Sequence, residues 1–240
     1  MNGMVNPPAG PLIRVLAFDV FGTVVDWHGS IVRELRALHP QVDADAFALA
    51  WRAGYQPAMQ RVRSGELGWT LIDDLHRMIL DGLLPRFGLA HLAEGERRHL
   101  NKVWHRLAAW PDAAPGLTRL KTRFTICTLS NGNLGLLADM AKRAVLPWDC
   151  ILSAEVFRAY KPDPATYLGV AHVFDVGPDE VMLVAAHQED LDAARGCGLR
   201  TAYIERPHEF GTGLAKDVSA NPRNTFHASS IEHLADQLGC

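Results

Sequence analysis

The chain has 240 residues, enough for one core domain with an inserted cap or for one large domain. Its apolar share of 48% and charged share of 21% are those of an ordinary water-soluble globular protein. A formal net charge of −3 leaves no cationic footprint, which argues against nucleic acid or an anionic membrane as a partner.

Residues 1–11 read as a short, flexible arm. Met1 to Gly10 lacks a basic region followed by an apolar core, so neither a signal peptide nor a membrane span is expected, and the expected compartment is the cytoplasm. Ile13 to Phe18 is an apolar run bounded by a Gly turn, as expected of a fully buried parallel strand. Asp19 falls at its carboxyl end, where open α/β sheets bind ligands. From Gly29 to Ala109 no strand-like alternation occurs. Ser30 is expected to cap a helix through Leu38 with Ile31, Leu35 and Leu38 on one face, and His39-Pro40 to stop it. Asp43 or Asp45 starts a second helix carrying Phe47, Leu49, Trp51 and Tyr55. Further helical patterns run from Leu67 to Leu84 and from Leu92 to Leu107.

From Pro115 a βα rhythm sets in. Strands are expected at Phe124–Leu129, Cys150–Ser153, Val181–Ala185 and Thr201–Ile204. Helices are expected at Leu117–Lys121, Asn133–Arg143, Pro164–Phe174, Glu189–Cys197 and Ser230–Leu238. This alternation implies a parallel sheet covered on both faces. Pro207 to Asn224 reads as a surface loop. The four cysteines (Cys127, Cys150, Cys197 and Cys240) are too scattered for a zinc site. The first three read as packing residues and the last as a free thiol. None of the eleven histidines forms a His-x-x-x-His pair.

Four short motifs fall at predicted strand ends. They are Asp19-Val20-Phe21-Gly22-Thr23, Ser130-Asn131-Gly132, Lys161-Pro162 within Arg158–Tyr167, and Ala185-Ala186-His187-Gln188-Glu189-Asp190. Singly, each has a plain structural reading. Ser-Asn-Gly is a cap-and-turn signal, and Lys-Pro with Pro164 is a helix start.

Together and in this order the motifs resemble those of the haloacid dehalogenase superfamily, over nearly the whole chain from Leu12 to Leu238. The resemblance implies an α/β fold: a Rossmann-like, doubly wound parallel core at 12–26 plus 112–240, and an inserted helical cap domain at 27–111. In the superfamily's phosphatases a second Asp protonates the leaving group and a later Asp ligates Mg²⁺. Those positions here are Phe21 and Ala186, which can do neither. Both departures point to the (S)-2-haloacid dehalogenase branch, where the leaving halide needs no proton.

That branch implies a set of roles. Asp19 is the nucleophile, and Thr23 and Lys161 align it. Ser130 binds the substrate's carboxylate. Arg52 and Asn131 receive the halide, with Arg61 and Arg63 as rivals to Arg52. Phe21 and Tyr167 line the pocket. Asp190 activates the hydrolytic water. His187 stands where the branch has an Asn, and either helps that water or packs. The resemblance implies a small haloacid substrate, no metal or organic cofactor, and a homodimer. Alternatives are a hydrolase of another small 2-substituted acid, a Mg²⁺-dependent phosphatase or phosphonatase, and a non-catalytic binding protein.

Overall fold

The computed structural model describes residues 12–240, so the N-terminal arm read at 1–11 lies outside the described residues. The chain enters through β1 (Val15–Phe18), turns tightly and forms β2 (Val25–Asp26). Five helices follow: α1 (Trp27–Leu38), α2 (Ala44–Ala53), α3 (Tyr55–Arg63), α4 (Ile72–Leu83) and α5 (Glu94–Asn101). Single 3₁₀ turns at Leu84–Phe87 and Lys102–Arg106 complete this insertion, and β3 (Ala108–Ala109) returns antiparallel to β2. The insertion therefore enters and leaves through one two-stranded ribbon.

The rest of the chain alternates. In order come α6 (Ala113–Leu120), β4 (Thr125–Ser130), α7 (Leu134–Ala144), β5 (Cys150–Ser153), α8 (Ala154–Phe157), α9 (Pro164–Phe174), β6 (Val181–Ala185), α10 (Gln188–Gly196), β7 (Arg200–Ile204), β8 (Phe226–Ala228) and α11 (Ile231–Gln237). Six strands make one sheet in the order β5-β4-β1-β6-β7-β8, with every neighbouring pair parallel. Strand order reverses between β1 and β6, and the crevice beyond their carboxyl ends is where such sheets hold ligands.

Burial on both faces explains why the strands read as continuous apolar runs. On β1, Leu16 and Phe18 face a core shared with Ile126, Met182, Val184 and residues of α6, α7 and α11. Val15 and Ala17 face the opposite core, with Cys127, Leu129 and Leu183 against Tyr167 and Val170 of α9 and Leu191 of α10. The first core continues into the helical insertion through Trp27, Ile31, Phe47, Trp51 and Trp104, so the insertion rests on apolar packing as well as on its ribbon. Helix α4 shows the spacing that does this, burying Ile72, Leu75, His76, Leu80 and Leu83 along one face.

Some sequence expectations are corrected. Helix α1 begins at Trp27, capped by Asp26, whose side chain accepts from the Gly29 N–H. Ser30 lies inside its first turn and donates to the Asp26 carbonyl instead. Leu38 is 48% exposed and leaves the buried face. Pro85 sits within a 3₁₀ turn, where a missing N–H costs little. The ribbon strands β2 and β3 and the edge strand β8 have two or three residues each, too few for alternation to register. Among the described residues no helix is long and apolar enough to cross a membrane.

Candidate active site

Asp19 leaves the end of β1 at the topological switch point, almost fully buried. The next residues form a tight turn with Gly22 at φ +84°, a conformation natural to glycine. Trp110 Nε1 donates to the Gly22 carbonyl at 3.0 Å, and Arg206 Nε to the Thr23 carbonyl at 2.9 Å, so the turn is clamped from two sides. It aims Thr23 back at the strand end. Thr23 Oγ1 donates to Asp19 Oδ2 at 2.7 Å and accepts from the Ala186 N–H at 2.9 Å. Ala186 thus contributes to the site through its backbone N–H.

The other carboxylate oxygen is held by Lys161, whose Nζ lies 2.9 Å from Asp19 Oδ1 and 2.5 Å from Asp190 Oδ2. Lys161 comes from the segment before α9 and Asp190 from the first turn of α10. Tyr167 on α9 donates to Asp190 Oδ1 at 2.7 Å. Both oxygens of Asp190 are therefore engaged. His187, just before α10, places Nδ1 at 3.1 Å from Asp19 Oδ2 and Nε2 at 2.8 Å from Glu209 Oε1. Glu209 is fully buried and accepts from Lys216 Nζ at 2.6 Å and Trp27 Nε1 at 3.2 Å.

A cavity of about 410 Å³ opens over these groups. Its lining includes Asp19, Phe21, Asn131, Lys161, Tyr167, His187 and Asp190 from the sheet side. Arg52, Tyr55, Gln56 and Arg63 line it from the helical insertion. The Arg52 guanidinium lies 4.4 Å from the Tyr55 ring centroid and 5.6 Å from that of Trp27, and its buried Nη1 has no hydrogen-bond partner among the described residues. Of its rivals, Arg61 pairs with Glu66 on the exposed side of α3. Arg63 lines the cavity and donates to the Lys161 carbonyl at 3.4 Å. Asn131 accepts from the Lys161 N–H at 2.8 Å, which turns its amide NH₂ toward Met59 Sδ at 3.3 Å. Phe21 is buried edge-on against Trp104 and Tyr55, forming an apolar wall.

Ser130 differs from the others. It is fully buried at the end of β4, its Oγ accepts from the Gly132 N–H at 3.1 Å, and it does not line the cavity. The same Ser-Asn-Gly turn that presents Asn131 draws the serine hydroxyl under the floor, so direct contact with a substrate carboxylate does not follow from its place.

Electrostatics follow from the pairings. Burial pushes the Asp19 carboxyl up, but Lys161 and His187 pull it further down, well below the carboxylate range. Burial opposes charge on His187 too, yet Glu209 and Asp19 outweigh it and raise the imidazole to about 9. Glu209 is lowered to about 2, since His187 and Lys216 more than offset its burial. Lys161 is likewise raised by Asp19 and Asp190 against its burial. The carboxylates of Asp19, Asp190 and Glu209 are thus matched by Lys161, His187 and Lys216. Arg52 lines the cavity with no carboxylate bonded to it among the described residues.

The sequence expectation missed Glu209 and Lys216. They sit in the stretch read as a surface loop, and no spacing ties them to the motifs. Arg206, bound to Thr23 and to Asp112 Oδ2 at 2.9 Å, anchors that loop and carries Glu209 inward.

Comparison with known proteins places this architecture. The model of the haloacid dehalogenase-like hydrolases matches residues 13–198. The (S)-2-haloacid dehalogenase 4A of Burkholderia cepacia is 30% identical over 204 residues, covering 81% of this chain and 84% of that protein. A crystal structure of the L-2-haloacid dehalogenase PA0810 superposes with a TM-score of 0.90 at 44% identity, covering 95% of this chain and 100% of that one. That of the defluorinating L-2-haloacid dehalogenase Rha0230 gives 0.90 at 45%, covering 95% and 96%. The chain belongs to the haloacid dehalogenase-like hydrolases, in the (S)-2-haloacid dehalogenase family.

Proposed function

We propose that this protein hydrolyses the carbon–halogen bond of short (S)-2-haloacids, giving (R)-2-hydroxy acids and halide through an ester of Asp19. One observation carries the reading above all. A desolvated Asp19 carboxylate, held ionised by Lys161, shares one cavity with an Arg52 guanidinium whose Nη1 has no partner among the described residues. A nucleophile from the sheet and an anion acceptor from the helical insertion, lining one cavity, are what an SN2 displacement of halide requires.

In this mechanism the helical insertion (27–111) is the cap over a core formed by 12–26 and 112–240. The substrate carboxylate lies beside Lys161 and backbone amides of the motif loops, and Arg63 adds positive charge to the cavity lining. An Asp19 oxygen attacks the α-carbon from the face opposite the halogen, inverting it once. The C–X electron pair leaves with the halide, received by Arg52 and Asn131, where fixed donors in a dry site act strongly. Thr23 and Lys161 keep Asp19 aligned. Ser130 contributes by shaping the turn that presents Asn131. Water, activated among Asp190 and His187, then attacks the ester carbonyl and regenerates Asp19. Tyr167 holds Asp190 in place. With Phe21 and Ala186 at the positions of the phosphatase acid and metal ligand, a phosphoryl-transfer reading lacks both groups. Fluoroacetate falls within the proposed range, supported by the likeness to a defluorinating relative.

The test is halide release by EDTA-treated protein from each enantiomer of 2-chloropropionate, from chloroacetate and from fluoroacetate. Release from the (S) form with (R)-lactate as product is expected. With enzyme in excess in heavy-oxygen water, the label should enter Asp19 and not the product. No halide from any substrate, or label first in the hydroxy acid, would overturn the respective claims.

A further inference from the structure

We infer that the cleft between α3 of the helical insertion and the segment before α9 is the entry vestibule of the active site, a subsite where Arg158 and Arg63 collect small carboxylate anions for Lys161. This rests on the haloacid reading proposed above and names the path its substrate takes. The cleft is a second cavity of about 520 Å³. Arg63 and Pro162 belong to its lining and to that of the catalytic cavity, so the two spaces border on the same pair. Pro162 follows Lys161 in the chain, and Arg63 donates to the Lys161 carbonyl at 3.4 Å.

The cleft is cationic because its charges are unequally engaged. Arg158 is exposed, and its side chain makes no hydrogen bond or ion pair with another described residue. Arg63, also exposed, donates to Gln60 Oε1 at 3.0 Å and to the Lys161 carbonyl, neither of which carries charge. Among the described residues the lining has one carboxylate, Asp163. It caps α9 by accepting from the Ala165 N–H at 2.9 Å, where the helix N-terminus offsets its charge. An apolar wall stands beside the two arginines. Trp69 packs on Tyr160 at 4.9 Å between ring centroids, and Tyr160 Oη donates to the Thr70 carbonyl at 2.6 Å, joining insertion to sheet domain. Two cations next to an apolar wall suit an alkyl carboxylate.

The backbone at Arg158 points the same way. The residue ends α8 with φ +49°, in the left-handed region where glycine is the unstrained choice. The side chain kept there forms no polar contact within the described residues to offset that strain. Its charge instead faces incoming anions. From Arg158 to Arg63 to Lys161 the cations pass from exposed to buried, ending 2.9 Å from Asp19 Oδ1. Cations beside low-dielectric walls raise the local concentration of an anionic substrate, and salt screens the effect. Bond breaking at Asp19 lies beyond this path, so the contribution falls on KM and not on kcat.

Initial rates of halide release from (S)-2-chloropropionate test this, at ionic strengths of about 10 mM and about 300 mM set with sodium sulfate. At low ionic strength Arg158→Gln should raise KM about threefold and Arg158→Glu about tenfold, with kcat within about twofold in both. Arg158→Lys should stay near wild type, since charge is what acts. Added salt should raise the wild-type KM and shrink its difference from Arg158→Gln. Arg158→Gly relieves the backbone, so it should show the raised KM with a melting temperature at or above wild type. Arg143→Glu makes the same charge reversal as Arg158→Glu on an exposed residue at the far end of α7, and should leave KM unmoved. An unchanged KM in Arg158→Glu at low ionic strength would overturn the inference. So would an equal rise in Arg143→Glu, or a difference that salt does not reduce. A wild type that releases no halide would defeat the reaction proposed above, and this path with it.

Discussion

Lys161 Nζ lies 2.9 Å from Asp19 Oδ1, and both side chains are almost wholly buried. This pair joins the end of β1 to the segment before α9, which lie 142 residues apart in sequence. Its removal has consequences in both the chemistry and the titration.

Replacing Lys161 with Met leaves Asp19 buried beside Asp190 without its main cation. The Asp19 carboxyl should then rise, since burial opposes its charge and Lys161 is the first of the groups opposing burial. Burst-phase halide release is expected to fall by roughly a thousandfold. The remaining activity should show an acid limb at higher pH than wild type, measured by pH-dependent single turnover.

Arg52 should matter to the first step alone. Arg52→Gln is expected to reduce the halide burst by about 10²–10³-fold, because the halide then emerges toward an uncharged amide. Hydrolysis of ester already formed should be little altered. An unchanged burst in this variant, with loss in Arg63→Gln, would transfer the role to the cavity's other arginine.

Phe21 forms an aromatic wall with Tyr55, His76 and Trp104. Phe21→Ala should cost about 3–5 kcal/mol of unfolding free energy through the cavity it leaves. Denaturant titration reads this directly.

Stability should fall on the alkaline side through His187. Its folded value of about 9 exceeds the ordinary 6.5, so its pairings stabilise fully below 6.5 and are lost as pH rises through 9. Glu209 acts in the opposite direction, with a folded value near 2 against an ordinary 4.5. Its contribution is present above 4.5 and lost as pH falls through 2. Melting temperatures at about pH 6 and about pH 9.5 should therefore differ more in wild type than in His187→Asn.

Gly22 couples the turn to the loop. A Cβ there would collide with the Glu209 carboxylate, at a backbone φ of +84° that side chains resist. Gly22→Ala should displace Glu209 and weaken its pairing with His187, lowering the melting temperature at about pH 6 relative to wild type.

Local sequence determined the strands and most helices. The apolar runs 150–153 and 181–185 and the helix at 164–174 appear as read, because two-sided burial and a capped Asp163-Pro164 start are written in consecutive residues. Asp19 and Asn131 were legible because each follows a strand whose end lies at the sheet's crevice, and Lys161 before α9 and Asp190 in the first turn of α10 were legible from their motifs. Tertiary structure decided what no local pattern encodes. The β2–β3 ribbon pairs residues more than 80 apart with two positions each, and only the packing of the insertion selects it. Ser130 kept its predicted place at the strand end, but its hydroxyl turned to the Gly132 N–H beneath the cavity. Glu209 reached His187 because Arg206 is bound to the Thr23 carbonyl and Asp112, drawing an otherwise polar loop over the site. A buried carboxylate is tolerated only where cations and donors from distant segments converge on it, and that convergence exists only once the chain has folded.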